Sequence, residues 1–268
     1  GVDTFSWPNI QHDPVKNPDG RHKAAQLVRS CQALKAMCLA YGIPLLSGKD
    51  SMYVDGHLEG AFGERIKVSA LETVQFSATS VVADVMRCQT LDPKTAGDLV
   101  YVAGITGNEL GASEYYDLFG QTGANVPQVN FAAGKVLYRA VEKTLNLELP
   151  ASCHAVGRGG LGVHLALMTM AGGLGMEIDL SRIPFAPETL SDEVLLFSES
   201  AGRFILTVPE ANRAVFEKLC KGLAVRCAGT VTDRHDHLKI NGVRGGAIVD
   251  LPCHDLEKAF NQLFGEMI

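Results

Sequence analysis

Four short segments combine glycine with charged and hydroxyl side chains, and the first, residues 46–51, reads L-S-G-K-D-S. An apolar run ends here, and Gly48 would let the backbone approach a ligand. Lys49, Asp50 and Ser51 supply a cation, a carboxylate and a hydroxyl, which are groups that a phosphate or nucleotide site uses. The segment is not a Walker A loop, which needs G-x-x-x-x-G-K-[ST]. A polar β-turn is the alternative interpretation of so short a motif.

The second candidate segment, residues 154–161, reads H-A-V-G-R-G-G-L. Its glycines precede a predicted helix start, where free N–H groups and the helix dipole attract anions. Arg158 could add a fork of donors to a phosphate. The alternative is a glycine-rich strand-to-helix turn in which His154 is buried or caps the helix, and the sequence alone favours neither interpretation.

Two further segments, residues 109–116 (E-L-G-A-S-E-Y-Y) and 197–204 (F-S-E-S-A-G-R-F), each pair a carboxylate with a hydroxyl near a glycine. Either could be a helix start or a turn. For each in isolation we favour this structural interpretation, with Ser113 or Ser198 as the capping residue.

Apolar periodicity predicts the elements that must position these segments. Residues 21–41 repeat apolar side chains at intervals of three and four and end at Gly42, which predicts a helix whose packed face includes Cys31 and Cys38. A strand at 43–47 is predicted to open into a loop at 48–51, and strands are predicted at 66–74 and 77–85. Residues 1–20, rich in Pro, Asn, Asp and Gly, are predicted to be irregular.

The second half is predicted to mix strands and helices. The predicted strands are 99–104, 152–156, 176–180, 203–208, 226–232, 238–242 and 247–250, and the predicted helices are 113–119, 128–147, 160–171, 209–221 and 254–267. Such a mixture indicates an α+β protein in which helices pack on sheets. Pro93 and Gly97 indicate a linker, which gives an N-terminal domain at 1–92 and a C-terminal domain at 93–268.

The composition argues against several classes of function. The 268 residues are 46% hydrophobic and 20% charged, which is typical of a soluble globular protein. The net charge of -6, without a cluster of Lys and Arg, argues against a nucleic-acid partner. No apolar run approaches the roughly 18–20 residues that span a bilayer, and the N-terminus lacks the features of a signal peptide. The 7 cysteines form no CxxC pair, which fits a reducing cytoplasm.

Taken together, the segments resemble one known family. Residues 41–53, Y-G-I-P-L-L-S-G-K-D-S-M-Y, resemble the synthetase subunit or domain of the phosphoribosylformylglycinamidine synthases (FGAM synthases). So do F-S-W-P at 5–8, N-P-D-G at 17–20, and residues 109–116 and 197–204. These segments occur in the family's order across nearly the whole chain. The resemblance is to the C-terminal part of that synthetase, the second of its two internal repeats, beginning partway through the repeat's N-terminal domain.

The resemblance implies a fold like that of aminoimidazole ribonucleotide (AIR) synthetase, with a partial N-terminal α+β domain followed by a C-terminal α+β domain. It implies part of a ligase of purine biosynthesis that uses ATP and Mg²⁺ to convert formylglycinamide ribonucleotide to formylglycinamidine ribonucleotide. The implied partners are the remaining synthetase repeat, upstream or in a second copy, and a glutaminase subunit or domain that supplies ammonia. The family's first repeat, with its catalytic histidine, has no counterpart here, so we expect the isolated chain to be inactive.

The same resemblance assigns roles within the first segment. Gly48 matches the position whose backbone lies against the nucleotide. Lys49 falls where many relatives carry an Asn that helps to hold Mg²⁺; an ammonium has no lone pair, so Lys49 is expected to meet phosphate directly. Ser51 matches a contact with the substrate phosphate. Asp50 is placed with it at the substrate, although it could instead contact metal or shape the turn. Catalytic residues and metal ligands stay unassigned.

The chain also departs from the family's pattern. Relatives usually read H-D-x-S-D-G-G-L at 154–161, and the Asp that Ala155 replaces is associated with Mg²⁺ at a second, non-catalytic nucleotide site. We therefore expect no metal-bound nucleotide there. Relatives tend to have Gly in place of Ala112 and Asn in place of Val54. Two alternatives stay open: a non-catalytic scaffolding half of the synthetase, or another ATP-binding member of the AIR synthetase superfamily, such as a kinase-like enzyme.

Overall fold

The computed structural model describes residues 1–187, 191–234 and 237–265, and it divides the chain into two compact units, Gly1–Ala83 and Asp84–Ile268. Each unit combines helices with β-sheet, so the predicted α+β class is confirmed. The domain limits of 1–92 and 93–268 stay predictions.

The first unit is a small sheet with one long helix. Its elements are β1 (Val2–Ser6), α1 (Gly20–Tyr41), β2 (Ser47–Ser51), β3 (Asp55–Glu59), β4 (Arg65–Ser69) and β5 (Thr73–Ser77). Strand β1 lies in the middle of a three-stranded sheet, parallel to β2 and antiparallel to β5, while β3 and β4 form a separate antiparallel pair. Strand β2 is therefore an edge strand among the described residues.

Trp7 fixes β1 to the helix. It is 1% exposed, its Nε1 donates to Lys23 O (2.9 Å), and its backbone N–H donates to Ser51 O (2.8 Å). The buried Lys23 in turn donates to Asn17 Oδ1 (3.0 Å) and lies 3.0 Å from the carboxylate of Asp19. The F-S-W-P and N-P-D-G segments thus hold the entry of α1 in place.

Two predictions of irregular backbone are wrong in this unit. Residues 2–6, predicted to be irregular, form β1, and residues 48–51, predicted to be a loop, form β2. The reason is that the two strands pair with each other in register, from Val2↔Ser47 to Ser6↔Ser51. Their backbone N–H and C=O groups are satisfied by residues distant in sequence, which a local sequence pattern does not reveal. The apolar residues 43–46 lie before the strand rather than within it.

Two predictions of regular or buried structure are also wrong. Strand β5 ends at Ser77, so residues 78–85 do not form the predicted strand. Helix α1 is confirmed, but the face expected to be packed is largely uncovered: Cys31 is exposed and Val28 is 56% exposed. The only buried residues of α1 are Gly20 and Lys23, because a sheet of three short strands is too narrow to cover a helix of 22 residues.

The second unit is a seven-stranded sheet between helices. Its elements are β6 (Leu99–Ala103), α2 (Glu114–Asp117), α3 (Phe131–Asn146), β7 (Ser152–Val156), α4 (Gly160–Gly172), β8 (Leu174–Asp179), α5 (Asp192–Phe197), β9 (Arg203–Val208), α6 (Arg213–Leu219), β10 (Val225–Arg234), β11 (His237–Asn241), β12 (Ala247–Pro252) and α7 (Cys253–Gly265). The strand order is β12-β11-β8-β10-β6-β9-β7, and every neighbouring pair is antiparallel except β8 and β11. Only α5, among these, was not predicted.

Two apolar clusters cover the two faces of this sheet. On one face, Val100 and Val102 of β6 lie in a cluster with Leu165 of α4. On the other, Tyr101 lies in a cluster with Phe216 of α6, and their rings are 4.7 Å apart. Successive side chains of a strand point to opposite faces, so a strand buried on both sides must be apolar throughout, as β6 is. This double burial makes the sheet a rigid support for the loops at its ends.

Within the described residues, no helix is both long enough and apolar enough to span a membrane.

Candidate functional site

The first candidate site lies on the sheet of the first unit, whose two faces differ in chemistry. Partners in the strand register share a face, and side chains alternate along each strand. One face, here called the polar face, carries Val2, Thr4, Ser6, Ser47, Lys49, Ser51, Thr73, Gln75 and Ser77. Among the described residues of these strands, Lys49 is the one charged side chain on that face. The polar face is thus a hydroxyl-rich surface with a single cation.

The structure places Lys49 and Ser51 together on the polar face. Lys49 Nζ donates to Ser51 Oγ (2.6 Å) and approaches Asp50 O (3.3 Å). Lys49 is exposed and Ser51 is half-buried. An ammonium has three donors and the hydroxyl has one, so donors of both groups remain for an anionic oxygen. The pair can therefore bind a phosphate on this face.

Gly48 and Asp50 lie on the opposite face. A Cβ on Gly48 would stand 2.8 Å from Asp3 Oδ1, so the close approach of the Asp3 side chain gives one reason for a glycine here. Asp3 and Asp50 both line a cavity of about 430 Å³ between the sheet and α1, together with Lys35. The predicted segment thus splits, with its cation and hydroxyl on one face and its carboxylate on the other.

The carboxylates of this region do not build a magnesium site by themselves. Asp3 and Asp50 share their cavity with the ammonium of Lys35, and within the described residues no three His, Cys, Asp or Glu side chains cluster in a way that could hold a metal ion. Mg²⁺ binds through one or two carboxylates plus water and substrate oxygens, so this chain could supply only part of such a shell.

The second candidate region lies in the second unit, where the other three segments converge on the carboxylate of Glu199. Glu199 Oε1 accepts hydrogen bonds from Glu114 N (3.0 Å) and from Gly159 N (2.8 Å). Arg158 also forms an ion pair with Glu114. One carboxylate therefore accepts from one backbone N–H at the start of α2 and from one just before α4, positions where a bound anion would otherwise be favoured.

The three glycine N–H groups of the segment at 157–160 already have acceptors. Gly157 N donates to His164 Nε2 (2.8 Å), Gly159 N to Glu199, and Gly160 N to Gly157 O (3.1 Å). A Cβ on Gly160 would stand 2.6 Å from Leu196 O, so this glycine is required for packing against α5. The geometry supports the strand-to-helix turn over the phosphate loop.

His154 and His164 form a hydrogen-bonded pair beneath this turn. His154 Nε2 lies 2.7 Å from His164 Nδ1. His164 Nε2 lies 2.8 Å from Gly157 N, which can only donate, and 3.2 Å from Arg158 O, which can only accept. The shorter contact favours the tautomer with the proton on Nδ1, which then donates to His154. Burial lowers the pKa of both imidazoles, and for His164 the neighbouring His154 lowers it further. The pair is thus held neutral, and its position was not foreseen because His164 lies outside every motif.

Arg203 is the buried residue that holds segment 197–204 in place and joins it to Thr106, in the loop after β6. It is 1% exposed, and it donates through Nε to Ser200 O (3.0 Å), through Nη1 to Thr106 Oγ1 (3.0 Å) and through Nη2 to Ser198 O. Burial lowers its pKa to about 10, while Glu109 and Glu199 oppose this change, so it stays charged at neutral pH. The sequence signal that could have identified this buried residue is an arginine at the first position of β9, a strand that is otherwise mostly apolar.

Of the two serines expected to cap a helix start, Ser113 does so, and the expectation for Ser198 is wrong because no helix starts after it. Ser113 is the N-cap of α2 and its Oγ accepts from Tyr116 N (3.2 Å). Ser198 follows α5, and its Oγ accepts from Glu109 N (3.0 Å) and donates to Gly107 O (2.7 Å). The structural interpretation of segments 109–116 and 197–204 is supported by these bonds.

Comparison with known proteins gives one family and a set of relatives. Residues 95–240 match the family described as "AIR synthase related protein, C-terminal domain". The FGAM synthase subunit PurL of Methanococcus aeolicus is 27% identical over 94% of this chain and 32% of its own length. PurL of Rhodospirillum rubrum is 31% identical over 88% of this chain and 30% of its own length. The chain therefore spans about a third of the length of these relatives.

Solved structures agree in fold. Thermotoga maritima PurL complexed with FGAR matches with a TM-score of 0.67 at 15% identity, over 95% of this chain and 38% of that one. The same protein complexed with ATP gives a TM-score of 0.62 at 14% identity, over 95% of this chain and 37% of that one. The hydrogenase maturation protein HypE of E. coli gives 0.58 at 18% identity, over 94% and 72% of the two chains. The predicted AIR synthetase-like fold is confirmed.

Proposed function

The chain belongs to the AIR synthase-related family, and from this premise we propose that it forms the C-terminal part of an FGAM synthase. The reaction proposed for the whole enzyme is the ATP-dependent conversion of formylglycinamide ribonucleotide to formylglycinamidine ribonucleotide. The observation that carries this proposal is the extent of the similarity, because PurL relatives align with 88–94% of the chain, across both units.

The polar face supports a role for this chain at a phosphate group. Lys49 is proposed to contact the nucleotide through its side chain and Gly48 through its backbone. Ser51 is proposed to contact the phosphate of the substrate. The exposed ammonium of Lys49 and the Ser51 hydroxyl, 2.6 Å apart, could act on neighbouring phosphate oxygens. Asp50 is proposed as a substrate contact from the opposite face, where it lines the cavity with Asp3.

In the proposed reaction, this chain would contribute charge neutralisation. ATP supplies the phosphoryl group that activates the amide oxygen of the substrate, after which ammonia forms the new C–N bond and the C–O bond to the leaving phosphate breaks. Lys49 would hold and neutralise phosphate oxygens, and Ser51 would orient them by a hydrogen bond, which are the contributions that dominate phosphoryl transfer. Among its described residues, the polar face carries no carboxylate and no histidine, so we assign it charge neutralisation and no acid–base role.

The proposal also assigns partners. Because the carboxylates here complete no metal shell, Mg²⁺ would be held mainly by residues outside this chain and by the nucleotide. The remaining synthetase repeat, upstream or in a second copy, would cover the exposed residues of α1, and a glutaminase subunit or domain would supply ammonia. We place the enzyme in the cytoplasm.

Calorimetric titration of the chain with ADP and ATP, with and without Mg²⁺, tests the nucleotide contact. We expect binding in the range of about 1 µM to 1 mM, weakened at least tenfold by Lys49→Ala. Lys16→Ala is the matched control, since Lys16 is an exposed lysine of the same unit that lies off the sheet. Equal losses in the two variants would remove Lys49 from the site.

Mixing the chain with the separately produced remainder of the synthetase and a glutaminase tests the reaction. We expect glutamine- and substrate-dependent release of ADP only when all parts are present, and a raised KM for formylglycinamide ribonucleotide in the Ser51→Ala variant. Full activity of the remainder without this chain would overturn the proposal.

A non-catalytic scaffolding role is the second candidate. It is favoured by the glycine-rich turn at 157–160, where Glu199 and His164 occupy the N–H groups of Gly159 and Gly157 that would otherwise bind an anion. If the chain restores activity to the remainder but Lys49→Ala and Ser51→Ala change neither nucleotide binding nor KM, this role would replace a direct contact with ligands.

A further inference from the structure

A groove in the second unit, here called the arginine groove, is used by no part of the proposed reaction. It is a cavity of about 660 Å³ that opens between the start of β10 and the chain segment after β8. Its lining residues are Ile105, Ser181, Arg182, Ile183, Pro184, Phe185, Arg213, Glu217, Ala224, Arg226 and Cys227. None of these residues belongs to the four segments that were singled out in the sequence.

The groove exists because β8 leaves the sheet early. Its last residue, Asp179, accepts hydrogen bonds through Oδ1 from Ser181 N (2.9 Å) and Ser181 Oγ (2.6 Å), which turns the chain into a single 3₁₀ turn. The chain then runs across to Thr106, which pairs with Phe185 in an isolated bridge. The start of β10 therefore has open space on the side where β8 would have continued.

The charges around the arginine groove are unbalanced. Its lining holds Arg182, Arg213 and Arg226 against a single carboxylate, Glu217, so the lining alone carries three positive charges and one negative charge, a net of +2. This is opposite in sign to the chain as a whole, whose net charge is -6. A locally positive cavity on an acidic protein attracts anions selectively, since the rest of the surface does not compete for them.

The one carboxylate is already occupied. Glu217 Oε1 accepts from Tyr101 Oη (2.8 Å) and from Arg213 Nε (3.1 Å), and Arg213 also lies 3.5 Å from Glu210. These bonds lower the pKa of Glu217, with the Tyr101 hydroxyl as the largest cause. Arg213 is thus paired with Glu210 and Glu217, and the excess charge belongs to the other two arginines.

Arg182 and Arg226 are the available cations. Within the described residues, neither forms an ion pair with a carboxylate. Arg226 is oriented by hydrogen bonds from Nη1 to Val225 O (2.9 Å) and Leu223 O (3.2 Å), which leave Nε and Nη2 free to donate. Both arginines are exposed. A guanidinium with two free donors on one edge matches the spacing of two phosphate oxygens.

We propose that the arginine groove binds a small organic phosphate, with Arg182 and Arg226 on the phosphate and the apolar wall of Ile183 and Phe185 against the organic part. The volume of about 660 Å³ suits a molecule of the size of a sugar phosphate or mononucleotide. This site goes beyond the proposed synthase reaction, because it shares no residue with the polar face.

Ribose 5-phosphate and ribose are suitable probes, since they differ only in the phosphate. In ¹H–¹⁵N NMR of the full chain, ribose 5-phosphate should shift the Nε–H signals of Arg182 and Arg226 and leave that of Arg139, an exposed arginine of α3, unchanged. Ribose should shift none of them. Titration should give a dissociation constant between about 1 µM and 1 mM.

Variants complete the test. The double variant Arg182→Ala/Arg226→Ala should weaken ribose 5-phosphate binding at least tenfold, and Arg182→Lys/Arg226→Lys should weaken it less, because charge is kept while the bidentate fork is lost. Arg139→Ala should bind as the unchanged chain does. Equal shifts with ribose, equal losses in Arg139→Ala, or no saturation by about 10 mM ribose 5-phosphate, which is weaker than the range above, would overturn the proposal. A loss confined to Lys49→Ala would assign the phosphate to the polar face instead.

Discussion

Replacing Gly160 with Ala separates the two interpretations of the glycine-rich turn at 157–160. Gly160 has a φ of +75°, in the left-handed region, and a Cβ at this position would stand 2.6 Å from Leu196 O and 2.7 Å from Phe197 Cα. The backbone strain costs about 1–2 kcal/mol for a residue with a Cβ. Crowding a well-packed contact adds about 1–3 kcal/mol. We therefore expect Gly160→Ala to lower the free energy of unfolding by about 2–5 kcal/mol.

Gly173 provides the matched control at the other end of α4. It has a φ of +60°, and nothing lies within 4 Å of where its Cβ would be. Gly173→Ala should therefore show only the strain, about 1–2 kcal/mol. Both substitutions change the entropy of the unfolded chain equally, so this contribution cancels in the comparison. The difference between the variants, about 1–3 kcal/mol, measures the contact of Gly160 with α5.

Urea unfolding followed by far-ultraviolet circular dichroism gives the two free energies. Most helices belong to the second unit, whereas the single tryptophan, Trp7, lies in the first and reports on that unit separately. Losses that agree within about 0.5 kcal/mol would show that α5 yields to a methyl group at no cost. The glycine would then be explained by its left-handed φ alone, and contact with α5 would no longer argue against a phosphate at this turn.

Two further predictions follow from the same unit. Ala112 has a φ of +56°, so Ala112→Gly should raise the free energy of unfolding by up to about 1 kcal/mol, whereas Ala140→Gly within α3 should lower it by about 1 kcal/mol; a loss in both would show that Ala112 is not strained. Burial lowers the pKa of His154 and His164, so the unfolded chain binds more protons and stability should fall as the pH falls through about 6.5. Unfolding measured from pH 5 to 8 should show a weaker pH dependence for His164→Gln but not for the exposed His254→Gln, and an unchanged slope in His164→Gln would refute this assignment.

The second unit was largely predictable from the sequence because its sheet is buried on both faces. Strand β6 (L-V-Y-V-A) is continuously apolar, and such a run bounded by Gly104 has few alternatives to a central strand. The short helix α5 was missed because its six residues, D-E-V-L-L-F, contain less than two turns of periodicity. Length and burial of each element thus decided how well it could be predicted.

The first unit was less predictable because its structure depends on pairing between distant residues. Strand β2 (S-G-K-D-S) contains no apolar residue and forms only because β1, more than forty positions away, supplies its hydrogen bonds. The signal that was available is the alternation in T-V-Q-F-S of β5 and T-F-S of β1, which places hydroxyl groups on one face. Pairing residues 47–51 with these stretches as a third strand would have placed Lys49 and Ser51 on one face and Asp50 on the other.

An anionic ligand could bind where the hydrogen-bond donors of a unit are not already bonded within the chain. In the second unit, the motif glycines and Arg158 are already bonded to Glu199, His164 and Glu114, so an anion there would have to displace an internal partner. On the polar face and in the arginine groove, by contrast, the cations are exposed and have donors to spare. The bond from Gly159 N to Glu199 is part-buried and charge-assisted, and losing such a bond costs about 1.5–3 kcal/mol, whereas an exposed cation gives up only water. A phosphate at the glycine N–H groups of this motif is therefore less favourable than one at either exposed cation site.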